Sequence, residues 1–238
     1  MKISIVVPTY NEEKRIEKFL KQFTKQTLPR NEFEIIVVDG NSTDNTRQIA
    51  EKYVDKIIIQ KSKGIGGARN DGVEIATAEI VATTDADIIL PYFWLEKIIN
   101  HFEMDLDLVL VFGANHPITK NKTIRFFSRL KKFVNQILAK FRIIYLAEGP
   151  NTAFRKKEFL KVGGYLDLPI MDDMEITSRI RKLGKIIYDD NLFVYSSVRR
   201  MEKTGIGRFG FVSLFYWIKL ILFGKESVQI EDYSKQKY

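Results

Sequence analysis

The chain has 238 residues, a formal net charge of +8 and no cysteine. This length suits one domain with at most a short appendage. Hydrophobic residues make up 45% and charged residues 29%, which is typical of a folded domain and excludes wholesale disorder. The lack of cysteine excludes a disulfide framework, a thiolate metal site and a cysteine nucleophile, and it fits a reducing compartment such as the cytoplasm. The positive charge indicates an anionic partner: a nucleic acid, a phosphorylated small molecule or a membrane surface.

Neither apolar stretch of the chain is typical of a leader or a membrane span. Residues 1–8 carry one lysine and a short apolar run that stops at Pro8, which predicts a strand rather than a signal peptide. Residues 209–223 are strongly apolar, but the run is only about 15 residues long and contains Lys219, whereas a spanning helix needs roughly 20 residues. We therefore expect no transmembrane helix.

Strands and helices alternate through the first part of the chain. Short apolar runs rich in β-branched residues predict strands, and apolar residues three or four apart predict helices. Asn11 is a candidate helix cap, with Glu12 and Glu13 in the first turn, where the helix dipole favours acids. Alternation with short connections indicates a Rossmann-like, mostly parallel sheet with helices on both faces. The predicted elements are strands at 3–7, 35–38, 57–59 and 80–84, and helices around 16–23, 44–53 and 68–77.

The strict alternation ends after the fourth strand. Pro91 opens a further helix, residues 108–112 predict a strand, and residues 123–141 form a long basic amphipathic pattern. A helix predicted at 173–183 and closed by Gly184 precedes strand-like runs at 186–188 and 192–195.

Acids and bases collect where the predicted strands end. In open α/β sheets, ligands bind beyond the carboxyl ends of the strands. Asp85 and Asp87 are one residue apart after an apolar strand, so both can reach one hard cation such as Mg²⁺ or Mn²⁺. Alternatively, they only end the strand and cap the helix that follows. The first four strands run into residues 8–12, 39–42, 61–64 and 85–87.

The segment Gly64-Ile65-Gly66-Gly67-Ala68-Arg69 matches a dinucleotide-binding fingerprint only in part. Arg69 stands where the last glycine would be, and the segment follows the third strand rather than the first, which disfavours an oxidoreductase. A glycine-rich loop that enters a helix beside Lys63 and Arg69 can still bind a diphosphate through backbone donors and charge. The alternative is a flexible, solvated loop.

Four motifs follow one another in this order: Val7-Pro8-Thr9-Tyr10-Asn11-Glu12-Glu13, Val37-Val38-Asp39-Gly40-Asn41-Ser42-Thr43-Asp44, Ala68-Arg69-Asn70 and Asp85-Ala86-Asp87. Together they closely resemble the family-two glycosyltransferases, which have the GT-A fold. The resemblance continues through residues 154–158, 163–165 and 172–175, and it covers roughly residues 1–200. It implies a GT-A domain at 1–200, with a nucleotide-binding half at 1–112 and an acceptor-side half at 113–200, followed by a basic and hydrophobic helical appendage at 201–238.

The resemblance also implies a reaction. A sugar would pass with inversion from a UDP- or GDP-linked donor to an acceptor hydroxyl, with Mg²⁺ or Mn²⁺ on the diphosphate. Asp173 would be the general base, although it could instead only cap the following helix. Asp172 replaces the family's glutamate, which leaves the base intact and the role of Asp172 open. Gly40 replaces a common second aspartate, so one nucleotide or metal contact is missing or supplied differently. By similarity, and with Lys63 added from the diphosphate loop, the nucleotide contacts are Pro8, Tyr10, Glu12, Asp39, Lys63, Arg69 and Asp85. The metal ligand is Asp87, and Asn151, Asp172, Arg199 and Arg200 are candidates at the acceptor or the diphosphate.

Residues 120–142 mix cations with large apolar side chains in an amphipathic pattern. Such a helix can lie on an anionic bilayer, or it can bury its apolar face and leave its cations in solvent. Cations at 199–208 also precede an aromatic run at 209–217, as at a membrane interface. The pattern predicts peripheral contact with the cytoplasmic face of a membrane through 120–142 and 209–223, and a lipid-linked or membrane-proximal acceptor. The tail could equally mediate dimerisation.

Three other functions fit the sequence less well. A nucleotidyltransferase would place a basic, glycine-rich phosphate loop after the first strand. A nucleic-acid-binding module would explain the charge, but no recognition motif is present, so no nucleic acid partner is expected. A non-catalytic sugar-binding relative is disfavoured by the aspartates at positions 39, 85, 87 and 173.

Overall fold

The computed structural model describes residues 1–141, 145–168 and 171–198. In this part of the chain, eight strands form one mixed sheet in the order β3-β2-β1-β4-β7-β6-β8-β5. The strands are β1 (Ile3–Thr9), β2 (Phe33–Asp39), β3 (Lys56–Ile59), β4 (Ile80–Thr83), β5 (Ile88–Ile89), β6 (Leu108–Ile118), β7 (Thr152–Arg155) and β8 (Lys185–Ser197).

Helices connect most of these strands. Among the described residues, none of the helices has the length and apolar character needed to cross a membrane. The α-helices are α1 (Ile16–Leu20), α2 (Thr46–Ala50), α3 (Gly64–Ile75), α4 (Trp94–Met104), α5 (Lys122–Lys140), α6 (Lys156–Lys161) and α7 (Asp172–Ile180), and 3₁₀ turns occur at Lys21–Lys25, Arg30–Glu32 and Gly149–Asn151.

The strand pairing explains why the carboxyl ends of the first four strands lie together. Strands β1, β2, β3 and β4 are parallel, so their carboxyl ends lie at one edge of the sheet, as the alternating pattern predicts. Strand β7 was not predicted. It runs antiparallel between β4 and β6 and joins the two predicted halves of the chain into one sheet. The sheet is therefore mixed, and the carboxyl end of β4 and the start of β7 bring the two halves together beside the candidate site.

The core lies on both faces of the sheet because alternate strand residues point to opposite sides. In β1, Ile5 and Val7 pack with α1 and α4, whereas Val6 packs with α3 and α7. Trp94 is fully buried on the first of these faces. This arrangement confirms the predicted α/β fold with helices on both faces.

Three predicted local features are wrong. Asn11 does not cap a helix: its φ of 53° is left-handed, whereas a helix cap needs an extended backbone, and α1 begins only at Ile16. The glycine-rich segment is not a loop, because α3 already begins at Gly64 and contains the other glycines. The runs at 186–188 and 192–195 form one strand, β8, which pairs with β6 across a register shift after Gly113.

Candidate active site

The loops after β1 and β2 are held together by hydrogen bonds. The Asn11 backbone N–H donates to Ser42 Oγ over 2.9 Å, and the Thr43 N–H donates to Asn11 Oδ1 over 2.9 Å. One residue further on, the Glu12 N–H donates to Thr46 Oγ1 over 2.8 Å. The left-handed backbone of Asn11 allows these bonds, because it turns the residue towards the second loop. The two motif loops thus form one wall of the site.

Asp39 lies at the base of this wall and is fully buried. Its carboxylate accepts hydrogen bonds from the Ser42 backbone N–H over 2.8 Å and from Ser42 Oγ over 2.5 Å. Arg47 Nε lies 3.5 Å from the same carboxylate. Asp39 therefore shapes the loop that follows β2, and its contact with a nucleotide base or ribose stays a prediction.

The other predicted nucleotide residues lie along the same edge. Pro8 is partly buried within β1, and the Tyr10 ring is more than a third exposed just beyond it. The Glu12 carboxylate accepts a hydrogen bond from Arg15 Nη1 over 2.6 Å. Lys63 is exposed at the N-terminus of α3. The four residues lie at one edge of the sheet, and their contacts with a nucleotide stay predictions.

The turn that precedes α3 is fixed from inside the helix by Asp71, which the sequence analysis missed. Its carboxylate accepts hydrogen bonds from the Lys61 N–H over 2.6 Å, the Ser62 N–H over 3.0 Å and Ser62 Oγ over 2.6 Å. Burial opposes ionisation, but these hydrogen bonds hold the pKa of Asp71 below its usual value. The sequence shows only an aspartate two residues after Arg69, inside the predicted helix, and its burial became visible only in the structure. These three hydrogen bonds hold the turn in one conformation, which contradicts the alternative of a flexible loop.

Arg69 is the centre of the site. Its guanidinium is 2% exposed, with Nη2 3.1 Å from Asp85 Oδ1 and Nη1 3.6 Å from Asp172 Oδ2. It also lies 5.7 Å from the centre of the Tyr165 ring. Burial alone would lower the pKa of Arg69, but the two carboxylates offset this effect and keep its pKa above the usual value. A Cβ atom at Gly149 would lie 2.3 Å from the guanidinium carbon, so glycine is needed there.

Asp172 is a buried acid with a second acid beside it. Burial and the neighbouring Asp173 raise the pKa of Asp172 to about 7, and Arg69 only partly opposes them. Its Oδ2 atom accepts no hydrogen bond from the described residues. The preceding Met171 has a left-handed φ of 67°, and a Cβ at Gly66 would lie 2.7 Å from Asp172 Oδ2. The start of α7 is thus held in close, strained contact with the start of α3.

Asp173, the predicted base, is partly buried beside this pair. Its Oδ2 accepts a hydrogen bond from the Gly149 N–H over 2.7 Å, and its Oδ1 accepts one from the Met174 N–H over 2.9 Å. Each carboxylate oxygen keeps a further lone pair. The carboxylate is therefore held in a fixed orientation and can still accept a proton.

The predicted metal ligands follow β4 and are both partly buried. Asp85 shares one oxygen with Arg69, and Asp87 comes two residues later in the same turn. No group of three or more metal-binding side chains occurs among the described residues. Two carboxylates nevertheless fit Mg²⁺ or Mn²⁺, because such ions take oxygen ligands and commonly complete their shell with phosphate oxygens and water.

The remaining predicted residues do not join this cluster. Asn151 is 1% exposed, and its amide bonds to Trp94 Nε1 over 2.8 Å, to the Leu192 carbonyl over 2.8 Å and to the Ala114 carbonyl over 3.2 Å. These bonds give Asn151 a structural position in the sheet, so the geometry does not support the predicted contact with acceptor or diphosphate. Arg199 and Arg200 lie outside the described residues, as do residues 201–238.

Comparison with known proteins decides the family. Residues 4–163 match the model of Glycosyl transferase family 2. The chain belongs to glycosyl transferase family 2. This confirms the resemblance predicted from the four motifs, all of which lie within the matched residues.

Solved structures share the fold of this family-2 chain. A mannosyltransferase from Pyrobaculum calidifontis, PcManGT, in complex with GDP-Man and Mn²⁺, superimposes with a TM-score of 0.68 at 23% identity, over 83% of this chain and 57% of its own. A fragment of TarS from S. aureus in complex with UDP-GlcNAc gives a TM-score of 0.68 at 23% identity, over 95% of this chain and 69% of its own. These likenesses confirm the predicted GT-A fold.

A curated relative is more similar in sequence over a shorter segment. The poly(ribitol-phosphate) beta-N-acetylglucosaminyltransferase TarS of Staphylococcus aureus is 44% identical over 124 residues, which are 48% of this family-2 chain and 22% of the relative. The chain therefore spans less than a quarter of that protein's length.

Proposed function

We propose that this chain transfers a sugar from a nucleoside diphosphate sugar to an acceptor hydroxyl, with inversion at the anomeric carbon. The observation that carries the proposal is the position of Arg69, which joins the Asp85 turn to Asp172 beside the base. Asp85, which would serve the donor, and Asp173, which would serve the acceptor, thus lie around the same buried arginine. GDP-Man and UDP-GlcNAc in the two neighbouring structures support a nucleotide-sugar donor.

The base in this mechanism is Asp173. The acceptor oxygen forms a bond to the anomeric carbon, the bond from that carbon to the diphosphate oxygen breaks, and the acceptor proton passes to Asp173. The Gly149 N–H holds the carboxylate in place through its 2.7 Å hydrogen bond. A base that is already oriented lowers the activation barrier, because it does not have to reorient during the reaction.

The leaving diphosphate needs positive charge. A divalent metal, when bound by Asp87 and Asp85, would neutralise part of the charge of the diphosphate. Lys63 and the N-terminus of α3 add positive charge at the same edge. The Mn²⁺ in the PcManGT complex supports a metal of this kind.

Calorimetric titration tests this proposal. UDP, GDP and several sugar nucleotides are titrated with and without Mn²⁺ into the wild type, Asp87→Ala and Asp107→Ala, which removes an exposed aspartate before β6. We expect metal-dependent binding of one nucleotide series to the wild type and Asp107→Ala, and its loss in Asp87→Ala. The absence of binding to every nucleotide would overturn the proposal and favour a nucleic-acid or scaffold role.

We also propose that α5 contacts the cytoplasmic face of a membrane. The alternative of a buried apolar face does not hold among the described residues, because large apolar side chains of α5 are exposed while its basic side chains line a cavity. Lys122 and Lys140 at the two ends of the helix add affinity for anionic lipids. The exposed side chains, each between 40% and 65% accessible, are Phe126, Phe127, Leu130, Phe133, Ile137 and Phe141.

Flotation with anionic liposomes tests the membrane contact. We expect Phe126→Asp with Phe133→Asp to abolish flotation, whereas Met104→Asp with Leu106→Asp, at two equally apolar exposed positions, leaves it intact. Removal of residues 209–238 separates the contribution of the tail. If the wild type stays in solution and forms a dimer that the Phe126 and Phe133 changes dissociate, the face binds a second copy and the membrane proposal fails.

A further inference from the structure

A cavity of about 380 Å³ opens on the acceptor-side half of the chain. One wall is the polar side of α5, and the others are the carboxyl-terminal half of β6 and two tyrosines of β8. The side chains that matter most are Arg125, Arg129, Lys131, Lys132, Glu148 and Tyr188. None of these six side chains takes part in the proposed nucleotide binding or proton transfer.

Four cations within two turns of α5 face this cavity. Lys131 forms an ion pair with Glu148, and Lys132 Nζ lies 2.5 Å from Asp190 Oδ2. Neither Arg125 nor Arg129 has a carboxylate partner in the part of the chain that the structure describes. The cavity therefore keeps a surplus of two guanidinium groups.

The spacing of the two arginines makes this surplus of positive charge destabilising for α5. Arg125 and Arg129 are four residues apart on α5, so they project from the same side of the helix. Like charges at this spacing destabilise a helix. An anion between them would convert this repulsion into two charge-assisted pairs, and the planar guanidinium matches the oxygens of a phosphate group in two-fold hydrogen bonding.

The cavity lies next to the proposed base. Glu148 lines it, and the next residue, Gly149, donates its N–H to Asp173 Oδ2 over 2.7 Å. The donor acids follow β1, β2 and β4 on the other side of the 148–152 segment. In a direct displacement, the acceptor approaches from the side opposite the leaving diphosphate. The cavity, lined by β6 and β8, lies across β7 from the strands that carry the donor acids, which suits an acceptor site.

We propose that this cavity binds a phosphate group carried by the acceptor, with Arg125 and Arg129 as its ligands. This inference rests on the proposed glycosyl transfer, and it assigns the acceptor to the class of phosphorylated polyols or phosphorylated lipids. The phosphate sits in the cavity while a hydroxyl of the same acceptor reaches Asp173. Tyr188 and Tyr195 provide ring surfaces for the carbon skeleton beside the phosphate.

Two probes separate the soluble source of phosphate from the lipid source. The full chain is saturated with the nucleotide and Mn²⁺ found in the calorimetric titration, so that the donor position is occupied. It is then titrated with sn-glycerol 3-phosphate, with glycerol as the uncharged control. In parallel it is mixed with phosphatidylcholine vesicles that contain a polyprenyl monophosphate, with pure phosphatidylcholine vesicles as the control. Both titrations are repeated without nucleotide.

Two double variants locate the binding. Arg125→Ala with Arg129→Ala empties the cavity of its unpaired cations, and Lys122→Ala with Lys140→Ala removes the same charge from the ends of the same helix. We expect the arginine pair to weaken binding of glycerol phosphate about ten-fold or more, and the lysine pair to weaken it less than about two-fold. On the polyprenyl phosphate vesicles, where Lys122 and Lys140 also attract the anionic surface, the arginine pair should weaken binding more than the lysine pair. Binding of glycerol phosphate assigns a soluble acceptor, and binding of the polyprenyl phosphate vesicles alone assigns a lipid acceptor.

Two results would overturn the inference: equal weakening by both double variants, which would assign the effect to the overall charge of α5, or no binding of either probe by the wild type. Nucleotide binding is measured in the same variants. A failure of the proposed transfer appears as lost nucleotide binding in the wild type, whereas a failure of the phosphate site leaves nucleotide binding intact.

Discussion

Two buried carboxylates in different regions of the molecule have pKa values shifted in opposite directions. Glu34 in β2 accepts hydrogen bonds from Ser4 Oγ over 2.6 Å and from Thr77 N and Oγ1 over 2.6 and 2.7 Å, and it pairs with Lys56 Nζ over 2.9 Å. Burial would raise its pKa, but these partners lower it to about 2. At the start of α7, burial and the neighbouring Asp173 raise the pKa of Asp172 to about 7, and Arg69 Nη1 at 3.6 Å only partly opposes them.

The difference separates a structural region from a functional one. Around Glu34 every partner lowers the free energy of the charged form, so the carboxylate stabilises the fold. Asp172 instead has a second acid, Asp173, beside it, and this pairing of like charges does not stabilise the fold. Carboxylates kept close together at a cost are typical of sites that bind a charged ligand or transfer protons.

The largest effect is expected at Asp173. Asp173→Asn keeps an oxygen that can accept the hydrogen bond from the Gly149 N–H but cannot take up a proton. We expect kcat to fall by about 10²- to 10⁴-fold, with donor binding unchanged. The rate of nucleoside diphosphate release measures kcat, and calorimetry measures donor binding. An activity close to that of the wild type would remove Asp173 from the role of base.

The opposite outcome is expected at Glu34. Glu34→Gln places an amide donor among the donors of Ser4, Thr77 and Lys56, and we expect a loss on the order of 2–4 kcal/mol in the free energy of unfolding. The values of kcat and KM should stay unchanged while the protein is folded. Urea unfolding measures the loss, and Glu17→Gln, at an exposed ion pair, is the control with no expected change. A loss of activity without a loss of stability would contradict the comparison.

The pH dependence of stability should differ between the two acids. The folded pKa of Asp172 is raised, so its contribution to stability is complete below about pH 4 and is lost as the pH rises towards about 7. Asp172→Asn should remove this loss and gain on the order of 1–2 kcal/mol over the wild type between pH 5 and 7.5. Urea unfolding across this range tests the prediction. Parallel curves for the two proteins would contradict it.

The same experiment at acid pH should single out Glu34. Its folded pKa is lowered, so its contribution is present above about pH 4.5 and is lost as the pH falls towards about 2. The difference in stability between the wild type and Glu34→Gln should therefore shrink in acid, where Asp172→Asn should have no further effect. A constant difference at all pH values would show that Glu34 acts through packing rather than charge.

The smallest effect is expected at the glycine that links the two halves. Gly149→Ala would place a Cβ 2.3 Å from the Arg69 guanidinium and displace it from its carboxylates, at a cost of about 1 kcal/mol or more. Gly40→Ala is the matched control, because a Cβ there meets its neighbours only at 3.3 Å or beyond. Thermal unfolding and donor binding should both change in the first variant and neither in the second. Equal effects would exclude a special role for the contact between Gly149 and Arg69.

The local pattern of apolar residues identified most of the helices and strands. The strands β1, β2, β3, β4 and the first part of β6 lie where apolar runs predicted them, because a buried parallel strand needs a continuous apolar sequence. Strand β7 and helix α6 were missed, since segments of only four and six residues of mixed polarity show no clear period. The cap predicted at Asn11 failed because its side chain bonds to the loop after β2 rather than to its own helix.

Side-chain environments were much harder to predict. Asn151 was predicted at the acceptor or the diphosphate, yet three hydrogen bonds to distant residues hold it inside the sheet. Asp71 looked unremarkable, yet it fixes the turn before α3. On α5 the amphipathic pattern was correct, but the pattern alone could not say which side would face protein, and the basic side lines the cavity.

By itself, the sequence determined the alternating α/β organisation, the family and the edge at which the acids collect, because these follow from local periodicity and from motifs that lie close together in the chain. Only the tertiary structure decided that Arg69 joins Asp85 to Asp172, that Gly149 orients Asp173, and that two arginines of α5 remain unpaired in a cavity among the described residues. These features depend on contacts between residues 16 to 103 positions apart in the chain, as from Arg69 to Asp85 and to Asp172. Burial and charge at such contacts are set by packing, which no local window of sequence contains.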